Sequence, residues 1–292
     1  MKTLNVILSA GAVAVCLSLT SYADGQTTTA ALYVDGNIEG TSSAAGTFTA
    51  PGTDLLIGAE NNQYYVYNGF VGDIADVAYY GQALTQSQIT AHASAGASYA
   101  STVLSDNPLS FWRFDDASSA DGATAFDSAP GDLSPGIYRN LGGVLAPISF
   151  VAGPGTGDNG IQLNGTASGG SGNFIDIPDA SGRLNTATTF SLEFWEKESP
   201  QASETYGRFI SHDAPSGGYW VGGSQSGTYP GQPFVGLPGS STWYAWPPNL
   251  ADGNWHYVVV TYTFVPVPEP AMMALCGLGL TAGLVLIRRR HA

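Results

Sequence analysis

Only two cysteines occur in the 292 residues, Cys16 and Cys276, and both lie in apolar terminal runs, so residues 24–264 contain none. Disulfide staples, zinc–thiolate sites and a cysteine nucleophile are thereby excluded for that stretch. Charge is scarce, at 11% of residues, and positive charge scarcer still. Between 24 and 264 only Arg113, Arg139, Arg183, Lys197 and Arg208 are basic, against 22 acidic residues, a net charge of −17. Such a surface repels nucleic acid and anionic lipid but tolerates divalent cations. Long helical patterns are nearly absent, and no Gly-rich phosphate loop is found. The 38 glycines are scattered through turns instead.

What the chain has in quantity is glycine, tyrosine (15) and proline (17). That is the profile of many short strands joined by tight turns, and the length suits one large all-β domain or two ordinary ones. Both ends read as targeting signals. Residues 1–23 carry Lys2, an apolar stretch from Leu4 to about Leu19, and the small residues Ser21 and Ala23 before Asp24. This is the pattern of a secretory signal peptide. At the other end, Ala271 to Ile287 is an uncharged, mostly apolar run of 17 residues, the lower limit for a transmembrane helix. Arg288, Arg289 and Arg290 follow at once and anchor that end in the cytoplasm.

Val267, Pro268, Glu269 and Pro270, the short apolar run and the arginine cluster occur in that order at the extreme C-terminus. Together they resemble the PEP-CTERM sorting signal of Gram-negative bacteria. The resemblance implies recognition of the Pro-Glu-Pro motif by a membrane-embedded exosortase. It also implies a temporary inner-membrane anchor and delivery to the cell surface or extracellular matrix. A permanent single-pass anchor with a proline spacer is the alternative.

The last strand before this signal, Trp255 to Phe264, is an almost unbroken run of aromatic and β-branched residues that ends in prolines. No partner follows it. Near the start, "ALYVDGNIEG" (31–40) is a strand leading into an Asp-Gly hairpin turn. Beyond it, Thr85 with Gln88 three residues on forms a capping box for a short helix that Gly96 would stop. Phe70, Gly72, Ile74, Val77, Tyr80, Ala83, Leu84 and Ile89 resemble the closing segment of the laminin G-like, concanavalin A-like jelly roll. Ala75 and Asp76 depart from it, standing where that family favours Asp then Glu.

After Ser98, Tyr99, Val103, Leu104, Pro108, Phe111-Trp112-Arg113, Asp115 and Asp127-Ser128 resemble the opening segment of the same fold. It runs on through Phe174, Ile175, Ile177 and the Phe190–Trp195 strand to "GNWHYVVVTYTF". The expected fold is therefore an all-β antiparallel jelly-roll sandwich over 24–264, with one short helix. Its closing segment (24–98) precedes its opening segment (99–264), and residues 265–292 form the sorting signal. In that frame Leu32–Asp35 is the missing partner of Val258–Phe264. A circularly permuted single domain accounts for this order; two halves completed between molecules, or a remnant of a tandem array, are the alternatives. "AHASAGASYAST" (91–102) is then a former linker reused as a loop.

Folds of this kind host both glycan-binding modules and glucanases. For hydrolysis the best carboxylate pair is Glu196 and Glu198, two apart on a strand and so on one face. The register of Phe190, Leu192 and Phe194 places them where the strand emerges into solvent, and no catalytic residue is assigned. Ser211, His212 and Asp213 are consecutive on an extended chain and cannot converge as a triad. His256 is explained by packing, and His92 has no second ligand at metal spacing. For binding, Trp243, Tyr244 and Trp246 cluster in a Gly/Ser/Pro-bounded segment without a clean strand period. Exposed rings there would stack on sugars, with Asn249 or Asp252 accepting hydroxyl hydrogen bonds. Tyr64, Tyr65 and Tyr67 form a second aromatic cluster. No cofactor is called for, although the resemblance implies that calcium could sit at the loop rim. Asp115, Asp116, Asp121 and Asp127 are the nearest acidic cluster. The expectation is an exported surface protein, non-catalytic, that binds polysaccharide or adheres; a purely structural matrix role and a glycoside hydrolase are the alternatives.

Overall fold

A computed structural model describes residues 26–46, 48, 52–61, 66–141, 147–155, 157–165, 172–185, 189–198, 207–214, 217–224, 231–238 and 242–266. The segments read as signal peptide, sorting motif (Val267–Pro270), apolar run and Arg288–Arg290 lie outside these residues. Among the described residues, no helix is long and apolar enough to cross a membrane.

In chain order the first strands are β1 (Gln26–Val34), β2 (Asn37–Ala45), β3 (Leu55–Ile57), β4 (Glu60–Asn61), β5 (Val66–Tyr67) and β6 (Val71–Tyr80). Next come β7 (Ser110–Trp112), β8 (Thr124–Ala125), β9 (Gly136–Leu141), β10 (Ser149–Ala152), β11 (Asn159–Asn164) and β12 (Gly172–Ile177). The last are β13 (Phe190–Glu198), β14 (Gly207–Ala214), β15 (Gly217–Ser224), β16 (Gln232–Gly236), β17 (Trp243–Ala245) and β18 (His256–Pro266). The first sheet runs β10-β11-β6-β13-β18-β1-β2, with β7 also paired to β6. The second runs β17-β16-β15-β14-β3-β12-β9-β8, and β4-β5 form a separate hairpin. Residues Thr28–Phe264 make one compact unit, an antiparallel β-sandwich.

β18 explains its own composition. It is central, between β13 and β1. Val258, Val260 and Tyr262 face the core between the sheets, while Tyr257 and Val259 face a second apolar cluster on the outer side. A strand buried on both faces needs a continuous apolar run, and each such side chain contributes about 1.5–3 kcal/mol by burial. The β1–β2 turn closes on the start of β18. The Asp35 backbone N–H donates to the Tyr257 carbonyl at 2.8 Å, and the Asp35 carboxylate accepts from the Tyr257 N–H at 3.0 Å. Asp35 sits at φ +50 and Gly36 at φ +81, the conformation that an Asp-Gly hairpin turn requires.

Two short helices, not one, cover the outer face of the first sheet. α1 (Gln86–Ala93) has the expected Thr85/Gln88 capping box, but Ser94 rather than Gly96 ends it. Residues 91–102 are not a loop. After a 3₁₀ turn (Gly96–Ser98) the chain forms α2 (Tyr99–Ser105), which turns Tyr99 and Val103, four apart, into the cluster that also holds Ile89, Tyr80 and Tyr257. Among the described residues, no helix lies over the outer face of the second sheet. The β4–β5 hairpin lies against part of it, where Val66 packs on Leu56, Ala59 and Phe174.

Candidate functional site

Strands β14 to β17 stand side by side in that second sheet. Side chains alternate, so Tyr219 and Val221 of β15 and Val235 of β16 enter the core, while Trp220 and Phe234 turn outward. β17 continues the pattern: Trp243 is 42% exposed, Tyr244 packs against the core and Trp246, just beyond the strand, is 6% exposed within it. The Trp243–Trp246 segment is thus a strand with its own period, which overturns the loop reading. It also splits the aromatic triplet. Tyr244 and Trp246 close the sandwich beside β2, where the indole of Trp246 leaves no room for a side chain at Gly40. The Tyr244 hydroxyl donates to the Ser43 carbonyl at 3.4 Å. Trp243 alone of the three remains on the surface.

Its companion is Trp220, which the sequence reading passed over. In the ladder Trp220 pairs with Gly236, and Gly236 with Trp243. The two tryptophans therefore stand level across β16, with glycine between them, about 9.5 Å apart by strand spacing. Gly236 is required there, because a methyl group on it would collide with the Trp220 indole. Phe234 meets Trp243 edge-to-face, with centroids 5.0 Å apart and planes at 88°. The guanidinium of Arg208 lies 3.7 Å over the Trp220 ring. Asn68, Arg208, Trp220, Phe234 and Trp243 line a surface cleft of about 320 Å³, at the small end of the range for ligand sites.

The β4–β5 hairpin holds Arg208 in place. Its Nε is 2.7 Å from the Glu60 carboxylate, an ion pair rather than a well-aligned hydrogen bond. Glu60 also accepts from the Tyr67 hydroxyl and from Asn68 Nδ2, at 2.5 and 2.7 Å. Burial and the Glu60 carboxylate push the Tyr67 hydroxyl up, which keeps it a donor. Of the second tyrosine cluster, Tyr64 and Tyr65 lie outside the described residues.

The other sequence candidates are placed elsewhere. Asn249 accepts from the Ala251 N–H at 3.0 Å, and Asp252 from Asn254 and from His256. Neither lines the cleft. The four aspartates do not converge. Asp115 pairs with Arg113 at 2.7 Å, Asp116 accepts from the Tyr138 hydroxyl and Asp121 from the Asn140 N–H. Asp127 is buried and accepts from the backbone of Phe111, Ala129 and Ser134. Among the described residues no group of three or more acidic, histidine or cysteine side chains is arranged to hold a metal ion. His212 is buried, 2.8 Å from the Thr53 carbonyl and 3.3 Å from the Tyr219 hydroxyl, and forms no triad with its neighbours.

Two readings are corrected outright. Glu196 and Glu198 do not emerge into solvent; they are 0% and 1% exposed. The inner face of β13 simply continues through them, and Gly223 of the opposite sheet leaves space for the Glu198 carboxylate. Neither Glu196 oxygen has a partner in hydrogen-bond geometry. Burial first, then the charges of Glu198, Asp252 and Asp35, hold its carboxyl well above the ordinary glutamate range, with only a weak main-chain contribution from Glu198 opposing. His256 is not explained by packing: it bridges Asp35 at 3.0 Å and Asp252 at 3.2 Å, tying the β1–β2 turn to β18. His92 is fully buried. Its Nδ1 is 2.9 Å from Glu193 and its Nε2 2.9 Å from Asp106. Glu193, also buried, accepts from the Tyr80 and Tyr99 hydroxyls at 2.8 and 2.6 Å.

Asp76, the residue that departs from the jelly-roll pattern, occupies a bulge. β6 carries one more residue than β13 between their paired positions, and Asp76 takes φ +52 there. It is 3.9 Å from Arg113 and otherwise unpaired. Burial and then Asp158 raise its carboxyl well above the usual range.

A laminin G-like family profile, described as the concanavalin A-like lectin/glucanases superfamily, matches residues 15–90. The matched stretch carries β1 to β6 and most of α1, and so includes Glu60, Tyr67 and Asn68 beside the cleft. No curated protein and no solved structure gives a match. The superfamily contains both lectins and glycosidases, so the match alone does not choose between them.

Proposed function

We propose that this chain is an exported surface or matrix protein whose β-sandwich binds carbohydrate and performs no catalysis of its own. The observation that carries the reading is the exposed Trp243, level with Trp220 at a surface cleft, on an outer face over which no helix lies among the described residues. Broad indole faces stack on the apolar faces of pyranose rings, and Asn68 and Arg208 supply polar contacts at the edge. The lectin/glucanase match to residues 15–90 supports the same class. In this reading the halves 24–98 and 99–264 form one circularly permuted sandwich, closed by the Asp35–Tyr257 hydrogen bonds. The C-terminal Val267–Pro270 motif with Arg288–Arg290 directs exosortase sorting from the inner membrane of a Gram-negative cell.

The test is glycan-array binding by the full chain beside Trp243→Ala. Retention by a defined set of glycans, weakened at least about tenfold in the variant, supports the reading. No glycan bound by the wild type would leave the purely structural role standing.

One observation favours a second reading, a glycoside hydrolase. Glu198, with Asp73, Gln162, Asn164 and Lys197, borders a separate cavity of about 350 Å³, and burial raises the neighbouring Glu196 carboxyl well above the ordinary glutamate range. Release of reducing sugar that disappears in Glu198→Gln would establish that activity and displace the non-catalytic reading.

A further inference from the structure

The ion pairs of the domain point to the kind of carbohydrate. All five basic residues between 24 and 264 are committed to carboxylates. Arg113 pairs with Asp115 and Asp158, Arg139 with Asp176, and Arg183 lies 3.9 Å from Asp127. Lys197 pairs with Asp73, and Arg208 with Glu60. Arg208 is the only one of the five at the aromatic cleft. Its charge is answered by Glu60 from behind and its flat face is laid on Trp220, so it serves as a wall of the cleft rather than as an anion receptor. The surrounding stretch carries a net charge of −17.

We infer that the cleft takes an uncharged polysaccharide, lying across β15 to β17 and stacked on Trp243 with the Arg208-capped edge of Trp220 as its side wall, and that it rejects uronate-rich or sulfated chains. The inference rests on the binding proposal above and names its substrate class. A free carboxylate or sulfate on the ligand would meet a like-signed field with no unpaired cation to offset it. Stacking needs no charge.

Affinity electrophoresis of the full chain in native gels tests this, with xylan and galactomannan as neutral probes and alginate and polygalacturonate as anionic ones, at low salt. The expected result is retardation by a neutral polysaccharide at concentrations at least about tenfold below any effect of the anionic ones, lost in Trp220→Ala and Trp243→Ala. Retardation chiefly by alginate or polygalacturonate overturns the inference while leaving carbohydrate binding intact. No retardation by any probe, or variants that migrate as the wild type does, overturns both. Glu60→Gln provides the sharper arm. It keeps the shape of the Arg208 pocket but removes the compensating charge, so the variant should gain retardation by alginate that 0.3 M salt, about the range where surface charge is screened, abolishes. A folded Glu60→Gln that gains nothing would show that charge compensation at Arg208 is not what excludes acidic chains.

Discussion

The two outer faces of this sandwich handle polar groups in opposite ways. On the first sheet, two helices bury a carboxylate, Glu193, and surround it with the Tyr80 and Tyr99 hydroxyls and the His92 ring. On the second, Trp243 is exposed and Trp220 is half-buried under a compensated arginine. The first face is covered by the helices, and the Glu193 carboxylate beneath them is met by three polar partners. The second keeps apolar surface exposed that a protein gains nothing by exposing, and a cover for it has to come from outside.

Glu193→Ala should break the closed face and gives the largest effect. It leaves two hydroxyls and an imidazole buried without their acceptor, a loss of about 3–5 kcal/mol. Urea unfolding of the variant should show that loss, while any glycan still bound under native conditions is held as before. A variant less than 1 kcal/mol below wild type, on the order of a surface substitution, would mean that the network does not fasten the helices to the sheet.

Gly236→Ala sharpens the comparison from the other side. The added methyl has no space under the Trp220 indole and must push the ring off the sheet, at about 1–3 kcal/mol of overpacking. Both tryptophans remain, yet the level pair is broken. Binding should fall with only a modest change in melting temperature. Unchanged binding would show that the spacing of the two rings does not matter.

How much of this was legible beforehand follows from what period-two patterns can report. The hairpin at Asp35-Gly36 and the capping box at Thr85 are local signals, and both are present. The need of Val258–Phe264 for a partner followed from its unbroken apolar run, and β1 lies beside it. What alternation cannot say is which layer covers a face. Glu193 occupies a position that would face water in an uncovered sheet; α1 and α2 make it an interior residue. α2 itself was hidden because Ala, Ser and Gly resemble a linker, although Tyr99 and Val103 at a spacing of four were available as a signal. Glu196 and Glu198 were assigned to solvent because carboxylates seldom follow an apolar face inward, yet Gly223 across the sandwich makes room for them. Trp220 was overlooked among glycines, and those glycines are what let an indole lie flat on the sheet.

The smallest effect is the dependence on pH, and its sign follows from the buried groups at the edges of the comparison. Burial alone would lower His92, but the hydrogen bonds and charges of Glu193 and then Asp106 raise it. For His256 the hydrogen bond to Asp35 is the largest influence and raises it, with burial opposing. A raised histidine contributes stability that is complete below the ordinary value of 6.5 and is lost as pH climbs through the folded value. Glu196 acts in the same direction. Unfolded, it ionises above 4.5; folded, burial holds its carboxyl well above that value, so stability is lost progressively as pH rises past 4.5. Asp35 limits the acid side. Burial raises it but the His256 bond and its other partners outweigh that and lower it, so its contribution is full above 3.8 and disappears below. The melting temperature should therefore be highest between about pH 4 and 6 and decline toward pH 8. Glu196→Gln removes one titrating group while leaving the histidines in place, so the decline should become shallower without vanishing. Comparing slopes rather than single temperatures separates this from any general cost of the amide. A variant with the same slope as wild type would mean that Glu196 ionises alike in both states, and that water reaches it in the folded sandwich.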